Sequence, residues 1–273
     1  MVGPETNSET SEVLALAVRL VGDAGALLIE RRNTSHGLIG TKTSATDLVS
    51  EVDRACEELV VEGIREARPH DAILAEEGTT DSGTSRWRWV IDPLDGTINY
   101  LYGLPAFAVS VAVELDGRPE VGVVVDPVHG ETFVAVRGRG ATRNGEPIQV
   151  SDRKELALAL VGTGFSYEAE RRSRQATVLT SVLPAVRDIR RAGAASIDLC
   201  WVACGRLDGY YEQGLQPWDF AAGALVAEEA GATIGDLSGG GPSGTFTMAT
   251  VPALFEPLRS LLVEAGAGAH MPG

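Results

Sequence analysis

The chain has 273 residues, 44% of them hydrophobic, which is enough for a sizeable core and near the length at which one core divides into two halves. Its 38 acidic against 23 basic residues give a formal charge of −15, which repels nucleic acid and anionic membranes and excludes both as default partners. A phosphorylated metabolite would be repelled too, unless cations bound in the site reversed the local sign.

In chain order, Met1 to Glu12 are polar, lack the basic start and apolar core of a signal peptide, and are expected to be disordered. Leu14, Ala17, Val18, Val21, Gly25 and Leu28 recur at helical spacing, which predicts an amphipathic helix over about residues 11–32. The run Val13 to Ile29 carries Arg19 and Asp23 and is too short and too charged to span a bilayer. A polar loop, Asn33 to Thr46, is expected next. Ser50 followed by Asp53 resembles a helix-start cap, and Cys56, Leu59, Val60 and Ile64 continue one apolar face until Pro69 closes a second helix.

Two short strands follow. Ala72 to Ala75 runs into Glu76-Glu77-Gly78, and Trp87 to Ile91 runs into Asp92-Pro93, where the proline is expected to end the strand. Both place carboxylates just past an apolar run, at the edge of a sheet where ligands collect. From Phe107 to Val150 the period changes to two, broken by Asp116-Gly117, His129-Gly130 and Asn144-Gly145, which predicts an antiparallel meander. Shorter strands and helices then alternate up to a helix from about Phe220 to Ala230, stopped by Gly231. The Gly-rich stretch at 238–244 is expected to be a loop inside the fold, and no internal repeat is present.

The three cysteines, Cys56, Cys200 and Cys204, form no disulfide framework and make a poor zinc site, so a reducing, cytoplasmic setting is expected. Four scattered histidines, His36, His70, His129 and His270, argue against a histidine-based hydrolase. No P-loop sequence is present, and the Gly138-Arg139-Gly140 repeat falls in a hairpin.

The densest chemistry lies in Asp92-Pro93-Leu94-Asp95-Gly96-Thr97. Asp, Pro and Gly are what turns are made of, so a plain turn is one reading. The other is a cation site, because two carboxylates on one stiff turn repel unless a cation sits between them, and hard oxygen ligands suit magnesium. A helix starting near Thr97 would add an anion site. Glu76 or Glu77 offers a third carboxylate, and Asp219, readable as an N-cap, a ligand or both, offers a fourth. Asp53, in a helix's first turn, also reads as a charge favoured by the helix dipole.

Trp89 to Tyr100, containing Asp92-Pro93-Leu94-Asp95-Gly96-Thr97, resembles the first signature of the inositol monophosphatase family, and Trp218 to Gly223 continuing through Gly231 resembles its second. The resemblance runs from the first helix to about residue 240. Bacterial members are the nearest match, through Asp188 to Gly193 and Gly214 to Asp219. It implies an α/β (α+β) fold, a layered αβαβα sandwich of the inositol monophosphatase and fructose-1,6-bisphosphatase type. It implies a homodimer and a magnesium-dependent, lithium-sensitive hydrolase of small phosphate monoesters such as inositol monophosphate. On this reading residues 1–12 are a disordered start, 13–150 an N-terminal α+β half with the metal motifs, 151–267 a C-terminal α/β half, and 268–273 a tail.

Carried over by motif, Glu76, Asp92 and the Leu94 carbonyl would hold one magnesium ion, and Asp92, Asp95 and Asp219 a second, with Glu76 helping a weaker third. Asp53 and Thr97, hydrogen-bonded to each other, would orient and deprotonate the attacking water, and Glu76 belongs to the same catalytic group. Backbone at Gly96 and Thr97 would take the phosphate. Asp95, Ala195 and Glu212 would contact the alcohol, with Gly193 and Ala194 lining the wall and Asp219 bordering the substrate. The chain has Ala194 and Gln216 where animal members carry Thr and His, which bears on substrate and leaves the ligand positions filled. Fructose-1,6-bisphosphatase and histidinol-phosphate phosphatase are the alternatives on the same scaffold. A partner role in the transcription machinery, as in some bacterial relatives, is the alternative outside enzymes.

Overall fold

The computed structural model describes residues 4–35 and 45–268, with side chains over 8–32 and 51–268. In chain order the elements are α1 (Pro4–Ser35), α2 (Ala45–Ala67), β1 (Ala72–Ala75), β2 (Thr80–Asp81), β3 (Trp87–Asp95), α3 (Thr97–Leu101), β4 (Ala108–Leu115), β5 (Arg118–Asp126), β6 (Glu131–Val136), β7 (Ala141–Arg143) and β8 (Glu146–Pro147). They continue through β9 (Leu160–Thr163), α4 (Ala169–Val182), β10 (Asp188–Arg190), α5 (Ala195–Ala203), β11 (Gly209–Glu212), α6 (Pro217–Glu229), β12 (Thr233–Gly235), β13 (Thr247–Thr250) and α7 (Phe255–Glu264).

The strands form two sheets. The larger has the order β2-β1-β3-β4-β5-β6-β7-β8 and the smaller β10-β9-β11-β13-β12. Three apolar clusters define the stacking. The first joins α1 and α2 to one face of the large sheet, through Leu20, Leu28, Val60 and Ile64 against Trp89, Val111 and Val123. The second buries α5 and α6 between the sheets, and the third packs α4 and α7 on the outer face of the small sheet. The layers therefore run αβαβα, as the resemblance implied.

The two middle helices are mostly apolar around their circumference, because each touches a sheet both above and below. Their close approach depends on missing side chains. A Cβ on Gly122 of β5 would lie 2.8 Å from the Ala222 carbonyl oxygen of α6. A Cβ on Gly223 would lie 2.9 Å from the Leu199 Cβ of α5.

The meander matches the sequence reading. Asp116 and Gly117 have φ of 51° and 77°, and Asn144 and Gly145 have 52° and 81°, the left-handed pairs that tight two-residue hairpins require. Four expectations need correction. The segment expected to be disordered up to residue 12 is helical from Pro4, with proline in the first turn, where its missing N–H costs nothing, and with Glu9 paired to Arg68 at 2.8 Å. That helix runs on to Ser35 and the next starts at Ala45, so Asn33 to Ser35, Ala45 and Thr46 of the expected loop are helical, while 36–44 lie outside the described residues.

Helix α2 begins at Ala45, so Ser50 is interior and Asp53 is not in the first turn. Pro93 does not end β3. The strand pairs with β4 through Asp92↔Ser110, shifts register, and pairs again at Asp95↔Ala108, a bulge that accommodates the absent N–H. His70 and His129 are exposed as expected, whereas His36, His270 and the tail past Gly268 lie outside the described residues.

Candidate active site

Register brings the first two acids together. β1 runs parallel to β3 with Ala75 beside Ile91, so the next residues along, Glu76 and Asp92, stand side by side at the carboxyl edge. Alternation along β3 sends Trp89 and Ile91 into the outer core and Val90 into the middle core. Asp92 shares the face of Val90 and so points at the layer that contains α6 and Asp219. With one of them protonated, Glu76 and Asp92 share a side-chain hydrogen bond. Burial, then the charges of Glu76, Asp95 and Asp219, push the Asp92 carboxyl well above the usual carboxylate range. Burial also raises Glu76, against the pull of its bond with Asp92.

Glu77 differs from Glu76 in having a cationic partner, its carboxylate lying 3.8 Å from Arg54. Helix α2 pins this turn to the sheet. Its Glu57 accepts from Glu77 N at 2.7 Å, Thr79 N at 3.2 Å and Thr79 Oγ1 at 2.6 Å.

Asp95 is tied to α5, about a hundred residues away in sequence. Its Oδ1 accepts from Ala195 N at 3.2 Å, and its Oδ2 accepts from Ser196 N at 2.7 Å and Ser196 Oγ at 2.5 Å. The carboxylate thus satisfies the free N–H groups at the start of that helix. Burial raises its pKa, and the Ser196 and Ala195 bonds and the charge of Arg191 oppose the rise. Asp219 plays the matching part at α6. It is not the N-cap expected from sequence but the third helical residue of a capping box, accepting from Gln216 N at 2.6 Å. Burial first, then Asp95, Glu76 and Glu212, raise it to about 7 against the Gln216 bond.

Between these anchors Gly96 sits at φ 88°, and a Cβ there would lie 2.7 Å from the Ala106 carbonyl oxygen, so only glycine fits the turn into α3. The expected Asp53–Thr97 hydrogen bond is not formed. Thr97 sits at the first helical position and its hydroxyl donates instead to the Leu94 carbonyl at 3.0 Å, leaving that oxygen one further lone pair. Asp53 is buried with Oδ1 unpaired, and burial, then Glu77, Glu76 and Glu57, raise it from 3.8 to about 8.

On the alcohol side, Ala194 caps α5, Ala195 opens it, and Gly193 precedes them at φ 92°. Glu212 ends β11, held by the Tyr210 hydroxyl at 2.6 Å and raised by burial to about 7. It occupies space that a side chain at residue 164 would fill, since a Cβ on Gly164 would lie 1.8 Å from Glu212 Oε2.

Sequence reasoning missed several supports. Ser196 carries the shortest Asp95 bond, and Asn99 Nδ2 donates to the carbonyls of Ala106 at 2.6 Å and Ala192 at 2.8 Å. Glu57 was legible, one turn beyond Asp53 on the same helix face. Asp198, buried in α5 with Oδ1 unpaired, had no sequence signal; burial, Glu212 and Asp95 raise it well above its ordinary value.

Among the described residues no three acidic, histidine or cysteine side chains close on one point as a preformed cage. The acids instead stand as neighbours whose charges raise one another, and every donor is a hard oxygen, the set that fits magnesium.

The family model described as the inositol monophosphatase family matches residues 9–266. A relative named Nus factor SuhB from Pseudomonas aeruginosa is 44% identical over 83% of this chain and 86% of its own length. An inositol-1-monophosphatase from Mycobacterium bovis is 38% identical over 94% of this chain and 95% of its own. Among solved structures, Mycobacterium tuberculosis SuhB is similar with a TM-score of 0.82 and 37% identity, covering 94% of this chain and 98% of that one.

Proposed function

The chain belongs to the inositol monophosphatase family, and on that premise we propose that it is a magnesium-dependent phosphomonoesterase acting on inositol monophosphate or a similarly small polyol phosphate. The observation that carries the reading is the grouping of Glu76, Asp92, Asp95 and Asp219, where burial and then the neighbouring carboxylates raise Asp92 and Asp219. A site so acidic has affinity for an ester dianion only with cations in it.

Glu76, Asp92, Asp95, Asp219 and the Leu94 carbonyl would hold the magnesium, two or three ions in number. When bound, magnesium supplies the positive charge that neutralises the ester oxygens and acidifies water. The chain's own part is positioning. The free N–H groups where Gly96 turns into α3 hold the phosphate, and Asp95 and Asp219 are kept in place by the two helix starts they occupy. Asp53, with an unpaired buried oxygen, is held protonated by burial and by the neighbouring acids; with magnesium in the site its carboxylate would be the favoured form, and that form accepts the proton released by the attacking water. The Thr97 hydroxyl, fixed on Leu94, borders the same space. Glu212, Ala195 and the wall of Gly193 and Ala194 receive the alcohol.

Phosphate release from inositol 1-phosphate and glycerol phosphates tests the reading. Turnover is expected with magnesium and is expected to vanish in excess EDTA, returning when magnesium is restored. Undiminished turnover in EDTA, or none with any ester, refutes it. A cytoplasmic homodimer belongs to the same proposal; among the described residues no helix is long and apolar enough to cross a membrane. The name Nus factor SuhB, carried by a relative 44% identical, favours a second reading as a partner of the transcription machinery. Capture of that machinery by the chain, undiminished in an inactive Asp92→Asn variant, would separate this role from catalysis.

A further inference from the structure

The alcohol side of the acidic site carries a feature of opposite sign. Arg191 is exposed, and among the described residues it makes no hydrogen bond or ion pair. Its neighbours are committed elsewhere: Arg190 pairs with Asp188 at 2.6 Å, and Arg172 donates to the carbonyls of Ser166 and Tyr167 at 3.0 and 3.1 Å. The Arg191 guanidinium folds back over Gly193. A Cβ on that glycine would lie 2.2 Å from Arg191 Nη1 and 3.0 Å from Asn99 Nδ2. The guanidinium therefore lies beside the residue that leads into α5, next to the helix start held by Asp95. Its charge acts on Asp95, Glu212 and Asp198 and on the exposed ring of Tyr167.

We infer that Arg191 sets the charge of the alcohol this site accepts, admitting neutral, hydroxyl-rich alcohols and rejecting those that carry an ammonium group. The inference rests on the phosphatase reading and narrows its substrate class. Glu212 alone would receive an ammonium as readily as a hydroxyl, and the chain's −15 charge would draw cations in. A hydroxyl pair can donate to Glu212 and accept from Arg191 at once. An ammonium has three donors and no acceptor, so it leaves the guanidinium unanswered and is repelled by it. The glycine at 193 keeps clear the space that the guanidinium fills.

The test is kcat/KM, at saturating magnesium, for inositol 1-phosphate and for histidinol phosphate in the wild type and in Arg191→Lys, Arg191→Gln and Arg191→Glu. The polyol-to-amino-alcohol ratio is expected to stay within about threefold in the lysine variant. It should fall about tenfold in the glutamine variant and further in the glutamate variant, mainly through KM. A ratio unmoved across the series, or a lysine variant that behaves like the glutamine one, overturns the role of Arg191 while leaving the phosphatase reading intact. No phosphate release from any ester by the wild type overturns both.

Discussion

The charge state of Asp53 can be weighed directly. In the unfolded chain its carboxyl has an ordinary pKa of 3.8, and in the folded protein burial and the charges of Glu77, Glu76 and Glu57 raise it to about 8. Between pH 5 and 7 the folded protein therefore holds about one more proton at this site than the unfolded chain does. The resulting stability is fully present below 3.8 and is lost as pH rises through about 8. Within the window the slope is about −1.4 kcal/mol per pH unit, or about −2.7 kcal/mol from pH 5 to pH 7.

The window lies about a unit or more inside both pKa values, so the slope depends little on their exact positions. Asp53→Asn removes the titration without removing the shape. Urea unfolding of both proteins in excess EDTA, at pH 5, 6 and 7, isolates the term as the difference between their stabilities. That difference should shift against the wild type by about 2.7 kcal/mol on raising the pH. If the two stabilities ran parallel, Asp53 would already be ionised in the folded protein, and burial would not hold a proton on it.

Two further substitutions read the supports of the site. Ser196→Ala removes the 2.5 Å bond to the Asp95 carboxylate and should cost about 2 kcal/mol in urea unfolding, as bonds to charged groups do; a loss under about 0.5 kcal/mol would mean Asp95 does not depend on it. Gly164→Ala places a methyl where the Glu212 carboxylate sits and should raise KM for inositol 1-phosphate about tenfold with a smaller change in kcat. An unchanged KM would remove Glu212 from alcohol recognition.

What sequence could tell followed the reach of the signal. Asp116-Gly117 and Asn144-Gly145 declare their turns because few residue pairs tolerate two positive φ values in succession. Glu76, Asp92 and Asp95 were legible as acids just past apolar runs. Ser50 and Asp53 misled because a spacing of three inside α2 imitates a cap, although the helix starts at Ala45. Pro93 misled because a bulge lets β3 pass it. Nothing local could show that Asp95 is bonded to Ser196, or that the Asn99 amide spans to Ala192, since those partners meet only when the middle layer is packed. For the same reason Gly122 and Gly223 look like ordinary weak points in a strand and a helix until α6 is laid against both.

That middle layer accounts for how so acidic a cluster forms at all. Two helix starts, those of α5 and α6, meet the carboxyl edge of the large sheet, and each takes one carboxylate as its missing partner: Asp95 for Ala195 and Ser196, Asp219 for Gln216. These two acids are thereby fixed by bonds that favour their ionised forms. Asp92 and Glu76 have no helix start of their own; Asp92 accepts from Leu94 N at 3.0 Å, and burial with the charges of Glu76, Asp95 and Asp219 pushes it well above the usual carboxylate range. The cluster thus divides into two acids held by helix starts and two that need a shared proton or a cation between them. A divalent cation held by all four acids, as proposed, would relieve their repulsion while the helix starts keep Asp95 and Asp219 in position. The apolar packing of α5 and α6 is for that reason part of the site's chemistry: a shift of either helix would release the carboxylate its start holds.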